Sequence, residues 1–534
     1  MSTGLACALL IYLWVNDELH VDKFHQNDSR LYQVRSNYDH AGSVTTNFET
    51  DGILAEALAE EMPEVEYAAV ATPVWWFEKF TLSIKDHNVK ATGRYASEDY
   101  FNIFSYKIIE GDKNQVLSDK NNIVISEALA QRLFNTSENV IGKIVSFQHE
   151  KDFQVSGVFK ATPYNSTENF DFVVPIKNFQ EKFPQFKEWD RRGPGTYLVL
   201  NEGTDVEHFN NKMNSFYNSK IKESIITLFV TPYSDNYLYG KYENGTQAGG
   251  RIEYVRLFSI IAIFIVIIAC INFMNLSTAK ASRRIKEVGI KKAIGADRQV
   301  LVFQYLGESM IIVFLSLILA LAIVFISLPS FNELTGKFLS INFNIHLIFS
   351  IVSIGLVTGL LAGSYPAFYL SGFNPVMILK GKLNASLGEV WARKGLVVFQ
   401  FTISIVLIVA VLVVFKQIEY VQNKNIGYDK DNVIIFDIEG KVEAHTETFI
   451  SQIKNVPGII NASSSNSRLV GSYGATSGLS WEGKNPDADI PFELVEVNYD
   501  FFETLGMEMA EGRSFSRNYS SDSMSLIFNE AAIK

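Results

Sequence analysis

Cysteine is nearly absent: Cys7 and Cys270 are the only two in 534 residues, and both sit inside apolar runs. That placement excludes a disulfide framework or a cysteine zinc site in a soluble domain, and it leaves the redox compartment undecided. Basic charge is also short. The 47 basic and 58 acidic side chains leave a net charge of −11, which argues against nucleic acid as the main partner. No Gly-x-x-x-x-Gly-Lys-Ser/Thr motif occurs, so the chain carries no phosphate-cradling loop of its own. Gly142-Lys143 and Gly381-Lys382 lack both the earlier glycine and the following hydroxyl. There is no His-Glu-x-x-His, and His20 and His25 have no helical metal spacing, so both read as surface residues. A cleavable signal peptide is not visible, because no basic stretch precedes the first apolar run and no small-residue cleavage pattern follows it.

Apolar residues make up 47% of the chain and charged ones 20%, with a mean hydropathy of +0.09. This mixture fits apolar spans alternating with soluble domains. Four stretches carry no charged side chain: Leu257–Leu276, Met310–Leu328, Leu347–Leu370 and Gly395–Phe415. A helix needs about 20 apolar residues to cross a bilayer, so each reads as a span. Gly4–Val15 is about half a span and reads as the outer half of a helix whose beginning is missing.

Basic residues in the links set the orientation. The link after the first span holds Lys280, Arg283, Arg284, Lys286, Lys291, Lys292 and Arg298, and the link after the third holds Lys380, Lys382, Arg393 and Lys394. The remaining link has only Lys337. Both basic links are therefore expected inside. The expected order is a partial span at 1–15, an outer domain at 16–254 and a span at 255–277. An inner elbow at 278–308, a span at 309–328, an outer link at 329–346 and a span at 347–370 follow. Then come an inner link at 371–394, a span at 395–415 and a second outer domain at 416–534. Strand-like runs such as Ile123–Ile125 and Phe172–Val174 mix with helical ones such as Gly52–Met62 and Ala128–Phe134 in the first outer domain. The fold class is thus an α-helical integral membrane protein with α+β outer domains. Trp75, Trp76 and Phe77 read as core, with a ligand-facing cluster as the alternative.

The chain also repeats itself. Phe101 to Gly111 and Phe502 to Gly512 share the phenylalanine, the apolar alternation and the Glu-Gly ending without a gap. A β-like run ending in Glu-Ala follows each, at Ile123–Ala128 and Leu526–Ala531, with both pairs spaced by about 400 residues. The same offset lays Gly4–Val15 on the outer half of the Gly395–Phe415 span. The expectation is two copies of one unit, the first lacking its lead-in and the second stopping inside its outer domain.

The segment Asn275 to Val300 reads as a helix leaving the membrane and stopping near Gly295, with Asp297 capping a second helix that runs back. Ile285, Val288 and Ile294 form a small apolar face beside a dense basic one. Such an elbow can lie against an anionic leaflet or dock in a groove of a cytosolic partner. Two patterns mimic catalytic motifs. Ser277-Thr-Ala-Lys280 fits Ser-x-x-Lys but lies at the end of a span without the partner motifs. The glycine-rich Gly471–Gly478 opens no apolar helix and reads as a loop.

The run Arg284-Ile-Lys-Glu-Val-Gly-Ile-Lys-Lys-Ala-Ile-Gly-Ala296, followed by Gln304-Tyr-Leu-Gly-Glu308, resembles the hallmark of FtsX/MacB-like ABC permeases. Tyr365-Pro-Ala367 and Asn374-Pro-Val376 are similar to the family's Pro-Ala and downstream proline motifs. Asn16 to His25 and Arg30 to Val34 resemble the start of its outer domain. Lysine stands at 291 where arginine is common, which keeps the charge but not the bidentate geometry.

The resemblance implies a permease subunit in the bacterial inner membrane, multi-pass, with its large domains on the periplasmic side. Its elbow would act as a coupling helix on a separate cytosolic ABC ATPase through Arg284, Glu287, Gly289, Ile290, Lys291, Lys292 and Gly295. Gly289 either admits close approach of that partner or is simply a tolerated glycine. Gly363 and Pro366 would form a hinge, or pack as glycine and proline ordinarily do in membrane helices. The chain would hold no cofactor, with ATP and Mg bound by the ATPase. A second permease copy, the lipid bilayer and a periplasmic adaptor or substrate complete the implied partners. Periplasmic domains driven by ATP hydrolysis would then export or extract a substrate that the sequence does not name. In the competing reading, FtsX-like regulators activate a periplasmic partner such as a cell-wall hydrolase. Those relatives have one four-span unit, so the duplicated layout favours the transporter. An intramembrane enzyme is disfavoured by the uncharged spans.

Overall fold

In the computed structural model, residues 1–534 are described except 41–42, 78, 223, 373–386, 439–440, 467–474, 477–478, 485–489, 491 and 534. The side chains of 40, 43, 280–286, 387–390, 392–393, 441 and 475 are likewise outside the described residues. The chain divides into a helical unit (1–21, 237–239, 249–423) and a sheet-bearing unit (22–236, 240–248, 424–534).

Among the described residues, five long helices build the helical unit: α1 (Ser2–Leu19), α2 (Ile252–Ala293), α3 (Arg298–Thr335), α4 (Ile345–Ser371) and α5 (Leu387–Asn423). All but α1 are long and apolar enough to cross a membrane, and each contains one of the four uncharged stretches. Their ends run past those stretches. α3 continues through Pro329 to Thr335, which shortens the expected 329–346 link to 336–344. A proline inside a membrane helix is tolerated where neighbouring groups satisfy the freed carbonyl. α5 continues past Phe415 to Asn423, so the domain expected from 416 starts later. α1 likewise extends from the expected Gly4–Val15 to Ser2–Leu19.

Small and branched side chains lock α1 into this unit. Leu5, Ala6 and Leu9 are buried with Leu317, Ala320 and Val324 of α3 and Leu347 and Ile351 of α4. The Tyr12 hydroxyl donates to Ser350 Oγ at 2.6 Å. α3 and α4 pack through glycines. A Cβ on Gly359 would lie 2.2 Å from Met310 Sδ, and one on Gly363 2.7 Å from Ser309 Cβ. α5 differs, since none of its apolar window is buried.

The other unit is built on a 14-stranded sheet. In chain order the strands are β1 (Leu31–His40), β2 (Ser43–Asn47), β3 (Glu49–Asp51), β4 (Val65–Ala71), β5 (Phe80–Ile84), β6 (His87–Ala91) and β7 (Gly93–Ala96). Then follow β8 (Ile108–Glu110), β9 (Asn122–Ser126), β10 (Ile144–Phe147), β11 (Lys151–Phe159), β12 (Phe172–Pro175), β13 (Arg192–Leu200) and β14 (Ile226–Pro232). The central order is β14-β1-β13-β4-β7-β12-β9-β11-β10-β5-β6, with β7–β12 and β9–β11 parallel. The expected strands at 123–125 and 172–174 are β9 and β12. The expected helices form at Leu54–Glu61 and Glu127–Phe134. Ser126 caps the latter by accepting from the Leu129 N–H, and Asn135, at φ 57°, ends it.

Two expectations fail in this unit. His25 is buried, ringed by Phe24, Phe104, Tyr106 and Tyr233, with Nδ1 accepting from the Ser105 N–H at 3.1 Å. Trp75 is 69% exposed, edge-on to Phe48, while Trp76 and Phe77 pack against the core. In the 424–534 segment, Phe501–Thr504 is a one-turn helix like Tyr100–Ile103, and Gly512 (φ 81°) is left-handed like Gly111 (φ 100°). Ala475–Thr476, inside the expected glycine-rich loop, pairs with Phe492–Glu493; Gly471–Gly474, Ser477 and Gly478 lie outside the described residues.

Candidate coupling elbow

α2 continues from its apolar stretch, through the basic run, to Ala293 without a break. It stops because Gly295 takes a left-handed turn at φ 101°. The Gly295 N–H donates to the Lys292 carbonyl at 3.1 Å and the Ala296 N–H to the Lys291 carbonyl at 2.9 Å. This paired pattern closes a Schellman turn, which favours glycine at that position. Asp297 occupies the N-cap position of α3 with an extended backbone, yet its carboxylate accepts no capping hydrogen bond, contrary to the expected cap.

The elbow has a buried side and an open side. Val288 is fully buried with Leu301 and Tyr305 of α3 and Ala367 and Leu370 of α4. Gly289 is buried too. Lys291 Nζ bridges Glu287 at 2.8 Å and donates to Gln304 Oε1 at 3.2 Å, while Gln304 Nε2 reaches Glu308 Oε1 at 3.3 Å. Lys292 Nζ donates to the Ser371 carbonyl at 2.6 Å. Burial, then Arg298, lowers the Lys292 pKa. On the open side, Ile290 is 53% and Ile294 81% exposed.

The described contacts thus divide the residues expected to meet a partner. Lys291 and Lys292 engage their own unit, Gly289 is enclosed, and Gly295 shapes the turn. Ile290, Ile294 and the half-exposed Glu287 remain on the surface. The Arg284 and Lys280 side chains, and the 374–376 motif, lie outside the described residues. α4 runs unbroken through Gly363 and the buried Pro366, and Gly363 serves the close approach of α3. The Lys292–Ser371 bond was missed by sequence reasoning; Gly372, just past α4, was the available sign of a helix end with unpaired carbonyls.

Two family models match the chain, one of them over this elbow. The FtsX-like permease C-terminal model matches residues 259–375, which hold the elbow with α3 and α4, and the MacB-like periplasmic core domain matches residues 1–216. The chain belongs to the FtsX/MacB-like ABC permeases. This permease is 25% identical over 298 residues to the ABC transporter permease YvrN of Bacillus subtilis, covering 53% of this chain and 68% of that one. It is 23% identical over 271 residues to the macrolide export ATP-binding/permease protein MacB of Campylobacter jejuni. That match covers 50% of the permease and only 40% of the MacB chain. The periplasmic region of MacB from Actinobacillus actinomycetemcomitans is similar over 39% of the permease and 91% of that region, with 16% identity and a TM-score of 0.28.

Proposed function

We propose that this permease sits in the bacterial inner membrane and works with a separate cytosolic ABC ATPase and a second permease copy. ATP and Mg are bound by the ATPase. Its cycle rocks the spans and moves the periplasmic domains, which act on an extracytoplasmic substrate for export or extraction. The observation that carries this reading is the two-sided elbow. Val288, Lys291 and Lys292 fasten it to α3 and α4, while Ile290 and Ile294 stay exposed at the tip. An isoleucine 81% exposed beside a fixed turn is suited to a hydrophobic groove on a partner. A force applied at Ile290 and Ile294 would pass directly to three spans. Gly363 and Pro366 are proposed as the place where α4 flexes.

Mild-detergent affinity purification of the full chain from its own membranes tests this. The expected result is recovery of an ABC-type ATPase that is lost from the Ile290→Glu/Ile294→Glu variant. An ATPase retained by that variant, or a correctly inserted chain that brings a periplasmic hydrolase and no ATPase, would sink the reading.

A further inference from the structure

Asp17 and Glu18, in the last turn of α1, are 6% and 1% exposed. Carboxylates so enclosed persist only when paired and hydrogen-bonded. Lys337, from the link between α3 and α4, supplies the pairing. Its Nζ lies 2.9 Å from Asp17 Oδ2 and 2.8 Å from Glu18 Oε1. Arg251, one residue before α2, donates from Nε to Glu18 Oε2 at 3.3 Å, and the Tyr237 hydroxyl donates to Glu18 Oε1 at 3.0 Å. Both cations also lie over the Tyr237 ring, at 4.7 Å for Arg251 and 5.7 Å for Lys337. Burial alone would lower the Lys337 pKa; the hydrogen bonds to Glu18 and Asp17 outweigh it and push it up, so the ammonium stays charged.

The link itself is held in place. Gly336 ends α3 in a left-handed turn at φ 65°. Asn332 Nδ2 donates to the Leu339 carbonyl at 2.9 Å, and its Oδ1 accepts from the Leu339 N–H at 3.1 Å. Beside the charges, Trp14, Val15 and Leu19 of α1 pack with Leu238, Ile252 and Val255.

The placement along the chain gives this cluster its meaning. The polypeptide leaves the helical unit after Val21, touches it again at Tyr237–Tyr239 and re-enters it at Gly249, two residues before Arg251. We propose that Asp17, Glu18, Arg251, Tyr237 and Lys337 form an ionic clasp. It binds the α3–α4 link to the end of α1 and the start of α2, so that the ends of α1, α2 and α3 move as one body. That this body carries motion outward rests on the permease reading; the clasp does not.

Hydrogen–deuterium exchange on the full chain in lipid nanodiscs, with no ATPase present, tests the clasp separately. Lys337→Met is expected to speed exchange about tenfold in residues 13–20 and 250–256 as well as in 332–340. Arg251→Gln alters a side chain 54% exposed, so folding should survive. It is expected to speed exchange in 13–20 and 332–340, away from its own position. Acceleration confined to the mutated segment in either variant overturns the clasp and leaves the permease reading standing. If Lys337→Met unfolds the chain, Arg251→Gln alone decides.

Discussion

Lys292 Nζ donates to the Ser371 carbonyl at 2.6 Å, so a cation from the end of α2 closes the end of α4. The last carbonyls of a helix lack intrahelical partners and carry partial negative charge, and an ammonium there meets both needs. Lys292→Met should therefore lower stability by about 1–2 kcal/mol. Thermal melting in detergent should show a drop of a few degrees. Ile290→Glu and Ile294→Glu should each shift stability by less than about 0.5 kcal/mol, because both sites are surface positions. Equal losses at all three positions would refute the division between a fastening side and an open side.

Close packing predicts opposite responses from two helix glycines. Gly363 is in α4, and a Cβ there meets Ser309 Cβ at 2.7 Å. Gly395 is in α5, with nothing within 4 Å of an added Cβ. Gly363→Ala should cost about 1–3 kcal/mol by overpacking, whereas Gly395→Ala should be neutral or slightly stabilising. Melting curves of the two variants side by side decide the point, and a harmless Gly363→Ala would show that α3 and α4 are not in intimate contact.

The spans were legible because they depend on an absence that sequence records directly: charge. Their ends were not. Pro329 looks like a stop in isolation, yet a membrane helix accommodates it. The elbow's turn was legible from Gly295 because its positive φ is a local demand. The partners of its lysines were hidden, since Ser371 lies 79 residues beyond Lys292. Lys337 counted only as a weak orientation signal, because its partner Asp17 is 320 residues away. His25 read as surface for the same reason. The rings that enclose it come from Phe104, Tyr106 and Tyr233, and no local spacing announces them.

Asp22 and His25 predict a compensated acid response. Burial outweighs the hydrogen bonds from Thr167 and raises the Asp22 carboxyl from 3.8 to about 6. Its contribution to stability is complete below pH 3.8 and lost as pH rises to about 6. Burial lowers His25 from 6.5 to about 4, so its contribution is complete above pH 6.5 and lost as pH falls to about 4. Each amounts to about 3 kcal/mol, with opposite slopes over nearly the same window. Relative to the parent, Asp22→Asn should lose melting temperature toward pH 4, and His25→Phe should gain it. Parallel curves for parent and both variants would show that neither group titrates as its burial requires.

Arg94 predicts the largest single loss. Its side chain is wholly buried among the aromatic rings of the sheet-bearing unit, over Tyr100 and Phe170, and it pairs with Glu168. Nε and Nη2 donate to the Thr72 carbonyl at 3.0 and 2.8 Å, and Nη1 donates to the Tyr100 hydroxyl at 2.7 Å. Arg94→Met strips these partners at once and strands the Glu168 carboxylate, a cost of about 3–5 kcal/mol. Most of that cost is the unpaired charge and not the lost attraction, so Arg94→Met/Glu168→Leu should be more stable than Arg94→Met alone. Exchange of the β7 and β12 amides reports the opening of this region, and it should be fastest in the single variant. A double variant that exchanges faster still would mean that the pair holds the sheet by attraction and not by mutual neutralisation.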